Sequence, residues 1–334
     1  MPFKFGLLVA HSFVWMLLSG CSTLYKPVGG TLNAYSEDVA IGEFLKYQDV
    51  DLLCQSGGSL LPLIASFEAV GTTTNKTVST LFLLGGFCAV QKAHELEIQQ
   101  LLANQQANYD AALNFSVLKK RALAVGAMRQ LGAYHQVVDV YPAPEGACPA
   151  FAKEQDELLF LLGNLQGLEA LLNDGKSGLM ANVPRNIANA IYRAMNCLDN
   201  GEWWGVPQAV QAALLVFLPN LDLEQSKKVD AVLLASVKIG RASGVPLAET
   251  VALAAWEGRG DNDKVSSLIK EHFIYSKDAV YSSDYLSIVY ISNRHLENKN
   301  DVLRLESNQS LTADPGEPFL KADVPAMDID LDDI

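Results

Sequence analysis

The stretch LLFLLGNLQGLEALL, residues 158–172, decides the fold of this chain of 334 residues. Its leucines recur every three or four positions, which is the spacing of residues that share one face of an α-helix. A second stretch repeats this spacing, at Leu96, Leu101, Leu102, Leu113, Val117 and Leu118. Residues 285–291 could form a strand by composition, but a sheet needs neighbouring strands and we expect helix there. The sequence therefore predicts an all-α protein.

Capping and stop signals predict short connections between these helices. Asp222 and Gln225 have the spacing of a capping box before an aliphatic helix. Gly244 is expected to end that helix, and Pro246 suits the first turn of the next one. Helices joined by only a few residues lie antiparallel, so the predicted local unit is a helical hairpin. Residues 141–149, YPAPEGACP, are rich in helix breakers and predict an interior break.

The pentapeptide LFLLG occurs twice, at residues 81–85 and 159–163. A glycine after leucines in mid-helix would let a second helix approach closely. The two copies indicate either a degenerate helical repeat or a coincidence in a leucine-rich chain.

The N-terminus has the layout of a secretory signal. Lys4 precedes an apolar stretch, and the tetrapeptide LSGC at residues 18–21 resembles the lipobox of bacterial lipoproteins. This resemblance implies cleavage before Cys21 and acylation of its thiol, and Ser22 in place of aspartate implies an outer-membrane anchor facing the periplasm. The alternative is an uncleaved signal anchor, although the apolar stretch is short for a span. We expect residues 1–20 to be removed and 21–30 to be a linker.

Charge and composition limit the partners. The chain has 25 Lys and Arg against 38 Asp and Glu, a net charge of −13. A chain this acidic would be repelled by nucleic acid and by anionic lipid.

The main helical domain is expected over residues 31–300. Residues 312–334, with acidic and proline-rich sequence, predict a disordered tail, or a segment that docks on a basic partner.

Four cysteines remain besides Cys21. They are Cys54, Cys88, Cys148 and Cys197. A periplasmic location permits disulfides, and neighbouring helices would favour pairing Cys54 with Cys88 and Cys148 with Cys197. Buried free thiols are the alternative. The sequence has no CxxC, so it gives no support for a redox motif or a compact zinc site.

Motifs for catalysis and cofactors are missing. The sequence contains neither a GxSxG elbow nor a GxxxxGK[ST] phosphate loop. The four histidines after the leader are isolated and are expected on helix surfaces: His94, His135, His272 and His295. We therefore expect no enzyme activity, cofactor or metal. The alternative is a lipid-anchored hydrolase with paired carboxylates, for instance Glu169 and Asp174, or Glu202 in a cleft walled by tryptophan.

The segment NGEWWGVP, residues 200–207, is the most distinctive in the chain. Trp203 and Trp204 could form a wedge between two hairpins or the aromatic wall of a ligand or partner site. Tyr192 and Trp256, on adjoining predicted helices, could share either role. These four aromatic residues are the candidate binding residues.

Several segments between 187 and 269 resemble one known family. They are AIYRAMNCLD at 190–199, LP at 218–219, LEQSKK at 223–228, GDN at 260–262 and LI at 268–269. They look like the C-terminal half of the T component of tripartite ATP-independent periplasmic (TRAP) transporters, which are tetratricopeptide-type lipoproteins. The N-terminal half fits more loosely, and the acidic tail has no counterpart.

The resemblance implies stacked antiparallel hairpins in a degenerate tetratricopeptide-like α-α superhelix. It further implies a homotrimer with a groove or pore for a periplasmic solute-binding protein, and a small apolar ligand. An envelope-assembly scaffold of the same architecture is the alternative within binding proteins.

Overall fold

A computed structural model describes residues 25–142, 147–216 and 222–312. Helices and their connections account for these ranges, and no strand occurs within them. The prediction of an all-α protein is confirmed, including helix rather than strand across residues 286–291. Residues 1–20, expected to be a signal peptide, Cys21, expected to be acylated, the LP segment at 218–219 and all of the acidic tail after Thr312 lie outside the described residues.

We number the helices α1 to α11 in chain order. Helix α1 covers residues 25–45 and includes a π-helical segment, Ser36–Ala40, and a last turn, Ile41–Leu45. The others are α2 Val50–Ala65, α3 Asn75–Gln105, α4 Tyr109–Val140, α5 Glu154–Ser177, α6 Ile187–Ala194, α7 Val206–Val216, α8 Leu223–Ala242, α9 Leu247–Arg259, α10 Asn262–Tyr275 and α11 Leu286–Glu306. Short 3₁₀ segments follow α2 and α6 and precede α11, at Ser66–Val70, Met195–Cys197 and Ser283–Tyr285.

The first half is organised around a long hairpin. Helices α3 and α4 have 31 and 32 residues and pack along their lengths, and α5 packs on α4. Glycine permits these close approaches: a Cβ on Gly163 of α5 would lie 2.4 Å from Val137 of α4. A Cβ on Gly85, the equivalent glycine of the other LFLLG copy, would contact only the Arg129 side chain. The two copies therefore have different surroundings.

The second half consists of shorter helices. Helices α7, α8 and α9 pack against one another, α10 packs on α9, and α11 returns to contact α3. The caps agree with the sequence: the Asp222 and Gln225 side chains form a capping box at α8, and Asp261 caps α10 by accepting from the Lys264 N–H. Gly244 and Gly260 adopt the left-handed conformation just after α8 and α9.

The break expected at residues 141–149 separates α4 from α5, but it does not separate two bodies. One hydrophobic core runs from Ala127 of α4 to Leu303 of α11. The expected linker differs from the structure, because helix begins at residue 25 rather than after 30. Gly29 is buried there, and a Cβ on it would lie 2.6 Å from the Phe67 ring, so this glycine serves close packing.

Two disulfides join neighbouring segments. Cys54 of α2 is bonded to Cys88 of α3, and Cys148 before α5 is bonded to Cys197 after α6. In each pair the Cα atoms are 5.4 Å apart. This is the pairing that adjacency of helices favours.

One segment in the described part of the chain is long and apolar enough to cross a membrane. It is Val50–Val70, with a mean hydropathy of 1.3 and only 22% of its residues buried. Helix α2 forms most of this segment and is held to α3 by the Cys54–Cys88 disulfide.

Candidate ligand-binding cavity

A cavity of about 90 Å³ lies among six helices of the fold. Helices α1, α2, α3, α5, α9 and α11 all contribute to its wall. The apolar side chains that line it are Ile41, Phe44, Leu45, Leu53, Leu83, Leu84, Leu158, Leu159, Leu162, Leu165, Leu247, Ile288 and Ile291. Its wall is therefore predominantly aliphatic, as in sites for small apolar ligands.

Helix α5 supplies the largest share of the wall because of its periodicity. Leu158, Leu162 and Leu165 follow one another at spacings of four and three, which places them on one face of the helix. Gln166 and Glu169 continue the same face and give the cavity one polar end. Polar residues on a leucine-rich helix face, Gln155 at its start and the pair Gln166 and Glu169, are the one signal in the sequence that could have located this site.

Hydrogen bonds fix the side chains at the polar end. The Gln130 and Gln166 amides both donate to Glu169 Oε2, at 2.8 and 2.9 Å. Asn173 in turn donates to Gln130 Oε1 at 2.9 Å. Gln166 is buried, and its Oε1 has no hydrogen-bond partner in the structure. The polar end thus offers an acceptor that is held in place and unused.

The protonation of Glu169 follows from this setting. Burial raises its pKa to about 7, against the opposing effect of the two amides and of Lys176. A carboxyl with this pKa exists in both forms near neutral pH, so it can donate or accept a hydrogen bond at the end of the cavity.

Charged groups form a network next to the polar end. Glu257 of α9 lies 3.2 Å from Lys176 of α5 and 2.9 Å from Lys299 of α11. Burial alone would raise the pKa of Glu257, but the two lysines outweigh it and lower the pKa to about 2. Burial lowers the pKa of His295 to about 4, and Lys176 adds to the effect. These ion pairs join α5, α9 and α11 behind the cavity.

The three tryptophans singled out from the sequence lie in the core. Trp203, Trp204 and Trp256 are all buried, and none of them lines the aliphatic cavity. The Trp203 indole donates to Glu157 at 3.1 Å and the Trp256 indole donates to Asp230 at 2.8 Å. The structure therefore places them as packing residues rather than as cavity walls, because both partnered N–H groups are satisfied inside the fold.

The loop conformation explains how the adjacent indoles are both buried. Trp204 has a φ of 57° and Gly205 a φ of 78°, so the chain reverses here. A Cβ on Gly205 would lie 2.5 Å from the Ser236 carbonyl oxygen, which lets the loop approach α8. Tyr192, the fourth candidate, is 37% exposed on α6 and is separate from the cavity.

The carboxylates proposed for a hydrolase have other partners. Asp174 accepts the backbone N–H groups of Ala181 and Val183, at 2.8 and 3.0 Å, and so stabilises the turn after α5. Glu202 is exposed, while Trp203 and Trp204 beside it are buried. Of the pair suggested on α5, only Glu169 faces the cavity.

Of the four histidines expected on helix surfaces, only His135 is exposed, since His94 and His295 are partly buried and His272 is fully buried. His272 is 1% exposed, and its Nδ1 lies 3.0 Å from Glu249, which is also buried. Arg241 contacts the same carboxylate at 2.8 Å. Burial tends to raise the pKa of Glu249, but His272 and Arg241 hold it below its usual value. No local sequence pattern predicts this triad, because its members come from α8, α9 and α10.

Among the described residues, no group of three or more His, Cys, Asp or Glu side chains is arranged to hold a metal ion. The chain matches no family model, no curated protein and no solved structure. The chemistry of the cavity itself is therefore the main guide to function.

Proposed function

We propose that this protein is a membrane-anchored binding protein of the cell envelope that takes a small apolar ligand into the cavity between α3, α5 and α11. The mostly aliphatic cavity, with Gln166 and Glu169 at one end, carries this proposal; Thr80, Gln155 and Ser287 are the other polar residues that line it. The lipobox supports anchoring, and the helical-hairpin architecture supports a binding rather than a catalytic role.

The packing of protein interiors supports a ligand in this place. Interiors are close-packed, and an unfilled space loses dispersion contacts along its whole lining. Cavities lined by aliphatic side chains stay dry and accept apolar molecules of matching size. A ligand in this cavity would contact side chains from six helices and would stabilise their arrangement.

The polar end indicates what kind of ligand fits best. A buried oxygen without a partner, such as Gln166 Oε1, costs about 1–3 kcal/mol. A ligand with a hydroxyl at one end could donate to this oxygen or to Glu169 while its apolar body lies against Leu158, Leu162 and Leu165. A short-chain alcohol is therefore a suitable first probe.

Titration of the protein with 1-propanol, whose size matches the cavity, followed by calorimetry, tests the proposal. For a ligand of this size we expect a Kd on the order of 1–10 mM. Leu162→Trp fills the cavity and should weaken binding at least tenfold. Leu113→Trp is the matched control, because Leu113 is 66% exposed on α4 and distant from the cavity. Equal binding by both variants, or no binding by the wild type, would refute the proposal.

We further propose that the protein works with an extracytoplasmic solute-binding protein, as a T component of a TRAP transporter does. The resemblance at residues 190–199 and 223–228 supports this partner and a homotrimer. Affinity purification of the acylated protein from its native envelope should recover a solute-binding protein. Recovery of outer-membrane assembly factors alone would favour the envelope-assembly alternative instead.

A further inference from the structure

Helix α1 carries an exposed apolar stripe. Its side chains are between 37% and 57% exposed: Tyr25, Val28, Leu32, Tyr35 and Val39. The spacings of three, four and three from Tyr25 to Tyr35 place these four side chains within an arc of about 80° on the helix, and Val39 follows in the π-helical segment. The stripe is therefore continuous along the helix rather than a scatter of single apolar residues.

A second face of α1, about 90° around the helix axis from the stripe, is fixed to the rest of the fold. Gly29 is buried against the Phe67 ring, and the Thr77 hydroxyl donates to Asn33 Oδ1 at 3.1 Å. Ser36 is also buried. Because these contacts set the rotation of the helix about its axis, the stripe lies to one side of the packed face, where its side chains are exposed.

The distance to Cys21 restricts what can cover the stripe. Four peptide units separate Cys21 from Tyr25, and they span at most about 14 Å when fully extended. An acylated Cys21 inserts its chains into a bilayer, so the start of α1 must lie at the level of the head groups. Tyrosines, of which the stripe has two, are enriched at this depth of a membrane.

A neighbouring segment of the same chain adds apolar surface at this end of the molecule. The segment Val50–Val70 contains Phe67, which contacts α1, and only 22% of the segment is buried. Leu63 in this segment is 55% exposed. The disulfide to Cys88 ties the segment to α3, so it meets a membrane as part of the folded body.

We propose that α1 lies in the interface of the lipid bilayer, with the stripe from Tyr25 to Val39 in contact with lipid. This inference rests on the anchoring at Cys21 within the proposed function. It adds an orientation to the anchoring: the folded protein contacts the membrane directly through α1, and the acylated cysteine is not its only contact with the bilayer.

Spin labels on the full protein in nanodiscs of zwitterionic lipid test this orientation. The labels are placed by Leu32→Cys, Tyr35→Cys and, as a control, Leu113→Cys, in three separate proteins. Leu113 is exposed near the far end of the long hairpin, about 35 Å along α3 from the contact with α1. For each spin label, the collision rate with oxygen, which concentrates in lipid, is compared with the collision rate with a water-soluble nickel complex.

We expect labels at positions 32 and 35 to collide at least threefold more with oxygen than with nickel, and the label at 113 to show the reverse. Aqueous exposure at all three positions would overturn the inference. Dipolar broadening between labels at position 35, with little access for either reagent, would also overturn it in favour of contact with a second copy. The mass of the mature N-terminal peptide reports separately whether Cys21 is acylated, so failure of the anchor is distinguishable from failure of the orientation.

Discussion

The adjacent glycines of α2 allow a matched test of how this helix packs. Gly57 is buried against α3, where a Cβ would lie 2.7 Å from Leu84 Cβ and 2.9 Å from the Gly85 nitrogen. Gly58 is exposed, and a Cβ there would meet nothing within 4 Å. Gly57→Ala and Gly58→Ala therefore add the same methyl group to the same helix, one into a contact and one into solvent.

The expected magnitudes follow from two opposing effects. Alanine is more favourable than glycine inside a helix by about 1 kcal/mol, and both variants gain this. The added methyl at position 57 must also push α2 from the α3 backbone by several tenths of an ångström, and overpacking of this kind costs about 1–3 kcal/mol. The Cys54–Cys88 disulfide one turn away limits how far α2 can move. We expect Gly58→Ala to be more stable than Gly57→Ala by about 1–3 kcal/mol.

Urea unfolding followed by far-ultraviolet circular dichroism measures this difference. The two variants should have similar slopes and separated midpoints, with Gly58→Ala at or above the wild type. Equal midpoints for the two variants would refute the described contact between α2 and α3. Because Leu84 lines the cavity, Gly57→Ala should also weaken 1-propanol binding, whereas Gly58→Ala should not.

Three further predictions concern the core. Because the pKa of Glu169 is raised to about 7, the contribution of this carboxyl to the free energy of unfolding is present below about pH 4.5 and is lost as the pH rises through 7. The free energy of unfolding of Glu169→Gln, measured in urea, should therefore gain up to about 3 kcal/mol relative to wild type between pH 4.5 and 8. A difference that does not change with pH would contradict this. The Cys148–Cys197 disulfide closes a loop of 49 residues. Replacing both cysteines with serine should therefore lower the free energy of unfolding by about 4 kcal/mol on the chain-entropy model. A loss under about 1 kcal/mol would argue against the bond. Trp256→Phe removes the hydrogen-bond donor to Asp230 and leaves a smaller ring in the core. The free energy of unfolding, measured by thermal denaturation, should therefore fall by about 2–4 kcal/mol. An unchanged midpoint would place Trp256 outside the core.

Local signals explain which parts of the fold the sequence predicts well. Leucine periodicity identifies α5, and the Asp222–Gln225 capping box and Gly260 mark helix ends, because each depends on neighbours within a few residues. The same reasoning fails at α1, where Pro27, Gly29 and Gly30 suggest a linker. Gly29 is instead required by contact with Phe67, which is distant in sequence and invisible to a local pattern.

The candidate site was harder to predict for the same reason. Its lining is spread from Ile41 to Ile291, and no short motif contains more than a few of its members. Composition drew attention to Trp203 and Trp204, the largest side chains in a glycine-rich loop, yet large aromatic residues most often fill the core, as they do here. The sequence predicts Glu169 only as one half of a carboxylate pair, because its place at the polar end depends on Gln130 of α4, which is distant in sequence.

The most direct test of the account is a crystal structure of the protein grown with 1-propanol. The account predicts electron density for the alcohol against Leu162 and Leu165, with its hydroxyl within hydrogen-bond distance of Glu169. An empty cavity, with density for the alcohol only at other places on the protein, would contradict it.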